Sequence, residues 1–105
     1  MSIKNTLVHN TTTQIFAAVN AEQAVTTMFF CNISATTDTK INIFLLPVAG
    51  AAGPSTQVIK SLPLPATETF VFDAEKIILE NGESIWAQAA DDNIVIATIS
   101  SVQTS

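Results

Sequence analysis

The apolar and polar positions along the chain follow the pattern of short β-strands separated by turn residues. Runs of β-branched and aromatic residues are broken at "NAEQ", "SATTDT", "VAGAAGPS", "LPLPAT" and "ADDN". The pattern predicts eight strands, near residues 6–8, 14–18, 24–32, 40–47, 58–64, 69–72, 84–90 and 94–102. Regularly spaced strands without a long helix predict a single all-β domain over residues 1–105, an antiparallel β-sandwich of jelly-roll-like form.

The segment "FDAEKIILENGES" is the exception to this pattern. Asp73 suits a helix N-cap, Glu75 suits the first helical turn, and Asn81-Gly82 suits a left-handed C-terminal cap. The preferred prediction is therefore one short helical turn over residues 74–79. The alternative is a tight type I′ hairpin turn at Asn81-Gly82, between "KIIL" and "SIWAQ".

Two predicted strands, residues 24–32 and 40–47, are apolar on both faces. Strict alternation places Val25, Phe29, Cys31, Ile41, Ile43 and Leu45 on one side, and Met28, Phe30, Phe44 and Leu46 on the other. If the first set fills the core, the second forms an outward apolar patch, which usually marks contact with a partner. The pattern thus predicts an oligomer or particle interface at Met28, Phe30, Phe44 and Leu46. The alternative is that a long loop or the turn at 74–79 covers this face, and which face of strand 24–32 is interior stays open.

Composition and charge narrow the class of protein. Apolar residues make up 48% of the chain, charged residues 12%, and the formal net charge is −5, which is typical of a globular domain. The four lysines are scattered and there is no arginine, so we expect no nucleic-acid partner. No apolar run reaches the about 18 residues of a membrane helix, and the first residues do not resemble a secretory signal. We expect synthesis in a cytoplasm, with no membrane contact.

The residues that can carry chemistry do not form a recognisable catalytic pattern. His9 is the one histidine, and Cys31 is the one cysteine and lies in the most apolar predicted strand, where a thiol behaves as a small hydrophobe. This pair is too small a ligand set for zinc, and no second histidine supports a nucleophile. We therefore expect no enzyme activity, no metal and no cofactor.

Acidic residues cluster in two places, which raises the alternatives of acid–base hydrolysis and calcium binding. The first cluster is Asp73, Glu75, Glu80 and Glu83, and the second is Asp91, Asp92 and Asn93. Helix capping explains Asp73, and Asp-Asp-Asn between two strands is ordinary turn chemistry. The structural interpretation is preferred for both clusters. Asn32-Ile33-Ser34 fits a glycosylation sequon, which has no meaning without secretion.

Longer stretches of the chain carry a resemblance to a known group of proteins. The runs "TLVHNTTTQIFAA", "AVTTMFFCNIS", "INIFLLPVAG" and "ETFVFDAEKIILENGESIWAQA" resemble the small virion structural proteins of tailed bacteriophages, particularly cyanophages. In that group a strand that ends in Cys-Asn, as at Cys31-Asn32, precedes a strand that closes at a proline, as at Pro47. The resemblance covers most of the chain in order, and its motifs define a fold and no catalytic residues.

The resemblance implies a non-enzymatic β-sandwich subunit that is made in the host bacterial cytoplasm and located in the virion. The first expectation is a capsid decoration, or cement, protein that packs as a symmetric homo-oligomer beside other virion proteins. The alternative is a neck, tail or baseplate accessory protein. A candidate of another class is a receptor- or glycan-binding module, in which Trp86 would stack on a sugar.

Overall fold

The computed structural model of the chain describes residues 2–103, apart from the side chains of residues 2 and 73–76. Over these residues it has eight strands: β1 (Ser2–Val8), β2 (Thr13–Ala17), β3 (Gln23–Asn32), β4 (Thr39–Leu46), β5 (Gln57–Leu64), β6 (Thr69–Leu79), β7 (Ser84–Ala89) and β8 (Val95–Gln103). Each predicted strand is present. The predicted bounds differ from these by a few residues, except at β1 and β6, which are longer.

The strands form two four-stranded antiparallel sheets. Sheet A has the order β1-β8-β3-β6 and sheet B the order β2-β7-β4-β5. The chain crosses between the sheets at every connection except the one from β4 to β5. Eight strands in this order make a jelly roll, so the predicted β-sandwich fold is confirmed.

The core lies between the two sheets, because the inward positions of both are apolar. Burying these side chains is the main favourable contribution to folding. The completely buried ones include Val8, Ile15, Val25, Met28, Phe30, Ile41, Ile43, Ile85 and Val95. On β6, Phe70 and Phe72 pack edge to face against each other, with ring centroids 6.2 Å apart, and border this core.

The predicted helical turn over residues 74–79 is wrong, because the described backbone continues there as part of β6. Its pairing with β3 runs from Cys31 opposite Thr69 to Gln23 opposite Leu79. The ladder to β3 pairs residues 69–73 and 77–79 of β6, with a register shift between the two parts, and Leu79 is 5% exposed in the core. These long-range contacts outweigh the local capping signals.

The predicted alternative, a hairpin at Asn81-Gly82, is also wrong, although the chain does turn there. Glu83 N donates to the carbonyl of Glu80 at 2.9 Å, and Gly82 has a φ of 96°. Because Asn81 has no positive φ, the turn is not of type I′. It connects β6 of sheet A to β7 of sheet B, so the two strands that it joins do not pair.

Candidate interaction surface

The four residues predicted to form an outward patch are buried. Met28 and Phe30 are 0% exposed, and Phe44 and Leu46 are each 5% exposed. The prediction of an interface at these side chains is therefore wrong, and the reason differs between the two strands.

In β3 the reason is a β-bulge at Thr26. Val25 pairs with Ser101 of β8, whereas Thr27 pairs with Ser100, so β3 carries one residue more than β8 between these pairs. The Thr26 hydroxyl donates to the Ser100 carbonyl at 3.1 Å. The extra residue reverses the alternation, because side chains alternate with a period of two. Val25, Met28 and Phe30 thus all point inward, and Phe29 and Cys31 point outward.

In β4 the predicted faces are right, but the second face is covered. Ile41 and Ile43 lie in the core cluster, whereas Phe44 and Leu46 are buried outside it. The loop at 47–56 returns beside β4, where Leu45 N donates to the Thr56 carbonyl at 3.0 Å. Residues 52–54 of this loop border one depression together with Phe44. For Phe44 this position of the loop agrees with the alternative of a covering loop.

The bulge leaves an apolar surface on the outer face of sheet A, which we call the A face. Its residues lie in rows across the four strands β1, β8, β3 and β6, according to the strand register. The rows are Leu7, Ile96, Cys31 and Thr69; then Asn5, Thr98, Phe29 and Val71; then Ile3, Ser100 and Thr27, with the backbone of Asp73 beside Thr27; and last Val102, Ala24 and Ile78.

Many of the apolar side chains on the A face contact solvent. The exposed fraction is 38% for Phe29, 53% for Val71 and 55% for Ile78. Ile3 and Val102 are also exposed, and Leu7, Cys31 and Ile96 are half-buried. Several exposed apolar side chains on one sheet face of a small domain are typical of a contact surface.

Polar groups on the A face hydrogen-bond to one another. The Thr98 hydroxyl donates to Asn5 Oδ1 at 2.6 Å, and the Thr26 hydroxyl lies 3.0 Å from Ser100 Oγ. Groups already paired in this way lose little when water is removed from them. In addition, every described side chain in these rows is uncharged, although the chain carries a net charge of −5.

His9 and Asp92 form the one ion pair among the described residues, and Cys31 takes no part in it. His9 Nδ1 and Asp92 Oδ1 are 2.9 Å apart, and both side chains are exposed, at 45% and 40%. The hydrogen bond from His9 lowers the pKa of Asp92 below its ordinary value of 3.8. The pair joins the β1–β2 loop to the β7–β8 loop, so its role is to hold these loops together.

In both acidic clusters a carboxylate accepts a hydrogen bond from a nearby backbone group. Glu83 Oε1 accepts a hydrogen bond from Glu80 N at 2.7 Å within the turn after β6. Asp91 N donates to Thr39 Oγ1, and Asp92 Oδ1 accepts from Asn93 N. The side chains of Asp73 and Glu75 lie outside the described residues. Among the side chains that are described, no three of His, Cys, Asp or Glu are grouped so as to hold a metal ion.

Asn32 has a structural role that the sequence did not indicate. Its side chain is completely buried; Nδ2 donates to the carbonyls of Thr37 and Leu64 at 2.8 and 2.9 Å, and Oδ1 accepts from Ser34 N at 2.9 Å. It therefore joins the end of β3 to the β3–β4 loop and the end of β5. The asparagine side chain of this sequon is therefore buried and hydrogen-bonded within the fold.

Trp86 lies half-buried on the outer face of sheet B, opposite Phe44 in the register, and its Nε1 donates to Ser84 Oγ at 2.9 Å. A depression of about 340 Å³ on this face has a mixed polar and apolar lining, whose polar members include Thr12, Asn42, Gln57, Lys60 and Gln88. Two of its amides are bound within the chain: Gln57 Nε2 donates to Asn42 Oδ1, and Gln88 Nε2 donates to the Asn10 carbonyl.

Comparisons with known proteins add no relative. No protein-family model, no curated protein and no solved structure matches the chain. Across the described residues, no helix has the length and apolar character that a membrane crossing requires.

Proposed function

We propose that the chain is a non-enzymatic structural subunit of a tailed-phage virion, in the first place a capsid decoration or cement protein. The observation that supports this proposal best is the A face, a sheet surface rich in apolar residues whose described side chains are uncharged, on an acidic domain. A subunit of this kind needs a broad, flat contact surface and no cleft for chemistry.

The distribution of reactive groups fits a structural role. The carboxylates of Glu83 and Asp92 accept hydrogen bonds from backbone groups in turns. His9 pairs with Asp92 at the surface, and Cys31 lies beside Ile96 on the A face. None of these contacts sets a nucleophile beside a base, which is the arrangement that catalysis by such residues requires.

The sequence resemblance supplies the phage context. Jelly rolls occur in viral capsid proteins and also in lectin domains, so the fold is compatible with the proposal without selecting it. Decoration of a capsid is preferred over a neck, tail or baseplate position because a compact acidic subunit suits an outer shell.

Quantitative mass spectrometry of purified virions tests the proposal. A decoration protein is expected in many copies per particle, whereas a neck or tail ring holds about twelve or fewer. A low copy number would favour the neck or tail alternative. The complete absence of the chain from particles of the phage that encodes it would contradict the proposal.

Glycan binding is a second candidate, because Trp86 lies partly exposed on the outer face of sheet B, the face that also holds the depression with the amides of Asn42, Gln57 and Gln88. Aromatic stacking on a sugar ring, with amides at hydrogen-bonding distance, is a common form of carbohydrate recognition. Binding on a glycan array that is lost in Trp86→Ala and retained in Gln14→Ala, the cross-strand neighbour of Trp86, would favour this candidate.

A further inference from the structure

We propose that the A face pairs with a second copy of this chain, as a two-fold dimer in which the outer faces of two A sheets pack against each other. This inference deepens the proposed function, on which it rests, by naming the contact surface and its occupant. It replaces the oligomer interface predicted from the sequence, whose four residues are buried.

The distribution of charge favours a second copy. Two copies that each carry a net charge of −5 repel one another, and the repulsion is smallest where no charged groups meet. Every described side chain in the rows of the A face is uncharged, and the acidic residue that the register adds to these rows, Asp73, lies on the edge strand β6. The described side chains therefore offer an oppositely charged partner nothing to pair with, whereas a second copy brings no further described charge against them.

The hydrogen bonding of the A face favours an apolar occupant. Thr98 already donates to Asn5, and Thr26 binds to Ser100. A polar ligand would have to compete with these bonds, while an apolar surface covers them at little cost. The second copy offers Phe29, Cys31 and Ile96 at the same positions, which makes the contact self-complementary, as a two-fold interface requires.

The area of the A face predicts a weak dimer. Four strands about 4.8 Å apart, with rows of outward residues about 7 Å apart, give a footprint of roughly 500 Å² on each copy. The pair would bury about 1,000 Å² in total, which is near the lower limit of specific interfaces. We therefore expect a dissociation constant roughly in the micromolar range in free solution.

Sedimentation velocity on the full chain tests the proposal with a matched pair of variants. Val71→Lys adds a charge to the A face, whereas Val58→Lys adds the same charge on β5 of sheet B, at nearly equal exposure of 53% and 50%. Wild type should change from monomer to dimer as its concentration rises. Val71→Lys should weaken this association about tenfold or more because the lysines lose water in the contact, and Val58→Lys should leave it unchanged. Circular dichroism checks that both variants fold.

The outcomes separate this inference from the proposed function. The pairing through the A face is overturned if wild type stays monomeric at all concentrations. It is also overturned if a dimer forms but the two substitutions weaken it equally, or neither weakens it. Finding such a monomer in many copies in purified virions would overturn the pairing alone. If Val71→Lys disrupts the dimer but purified virions do not contain the chain, the pairing is supported and the virion role is overturned.

Discussion

The side-chain amide of Asn32, at the end of β3, donates a hydrogen bond of 2.9 Å to the backbone carbonyl of Leu64, at the end of β5. The two residues belong to different sheets, so this bond holds one end of the sandwich together. Nδ2 also binds the Thr37 carbonyl, and Oδ1 binds Ser34 N. A buried group with all these bonds made is a strong constraint on the surrounding loops.

We expect Asn32→Leu to lower the free energy of unfolding by about 3 kcal/mol, because it leaves buried backbone groups without partners. Asn10→Ala is the control; Asn10 also begins a sequon, Asn10-Thr11-Thr12, but it is exposed, so this change should alter stability by less than about 0.5 kcal/mol. Urea unfolding followed by circular dichroism measures both. Equal effects of the two substitutions would show that the Asn32 bonds do not stabilise the fold.

The bulge at Thr26 makes adjacent phenylalanines unequal. Phe30→Ala should cost about 3 to 5 kcal/mol, because Phe30 is 0% exposed in the core. Phe29→Ala should cost about 1 kcal/mol in the monomer, because the Phe29 side chain is 38% exposed on the A face. Thermal unfolding at a concentration low enough to keep the chain monomeric gives the comparison. The reverse order of costs would mean that β3 has the opposite face inward.

Two glycines in loops should respond with opposite signs to replacement by alanine. Gly82 has a φ of 96°, and a Cβ there would lie 3.1 Å from Val48 Cγ2, so Gly82→Ala should destabilise by about 1 to 2 kcal/mol. A Cβ at Gly53 would meet nothing within 4 Å, and Gly53→Ala should stabilise by about 0.5 kcal/mol through the unfolded state. Chemical unfolding of both variants is the measurement, and a loss of stability at Gly53 larger than that at Gly82 would contradict the turn geometry.

The His9–Asp92 pair predicts a small loss of stability in acid. Because the pKa of Asp92 is lowered in the folded state, its contribution is fully present above the ordinary value of 3.8 and is lost as the pH falls through the lowered pKa. Unfolding curves between about pH 2 and 6 should show wild type and Asp92→Asn converging at the acidic end. The control is Asp91→Asn, whose side chain takes no part in the pair. A difference between wild type and Asp92→Asn that does not change with pH would exclude this linkage.

The strands were predictable from the sequence because their signals are local. β-branched and aromatic runs end at Gly, Pro, Asn and Asp clusters, and Ile41 and Ile43 alternate as an inward face should. The helical turn over residues 74–79 was predicted wrongly because capping signals are local too, whereas β6 is extended by its pairing with β3. The paired residues are far apart in the chain, from 38 residues for Cys31 and Thr69 to 56 residues for Gln23 and Leu79.

The residues of the A face were not predictable from the sequence, because one extra residue in β3 determines which of its side chains point outward. Nothing in "AVTTM" marks Thr26 as a bulge; the bulge exists because of the register with Ser100 and Ser101 of β8. The sequence did indicate correctly that β3 is apolar on both faces, and it left open which face is interior. The structure shows Phe29 and Cys31 outward and Met28 and Phe30 inward.

The reactivity of Cys31 tests most directly whether the A face is a contact surface. This free thiol is half-buried in the monomer and lies on the A face between Ile96 and Thr69 in the register. We predict that its rate of modification by a maleimide falls as the protein concentration rises through the micromolar range, and that Val71→Lys removes this protection. A rate that is the same at every concentration would contradict the account.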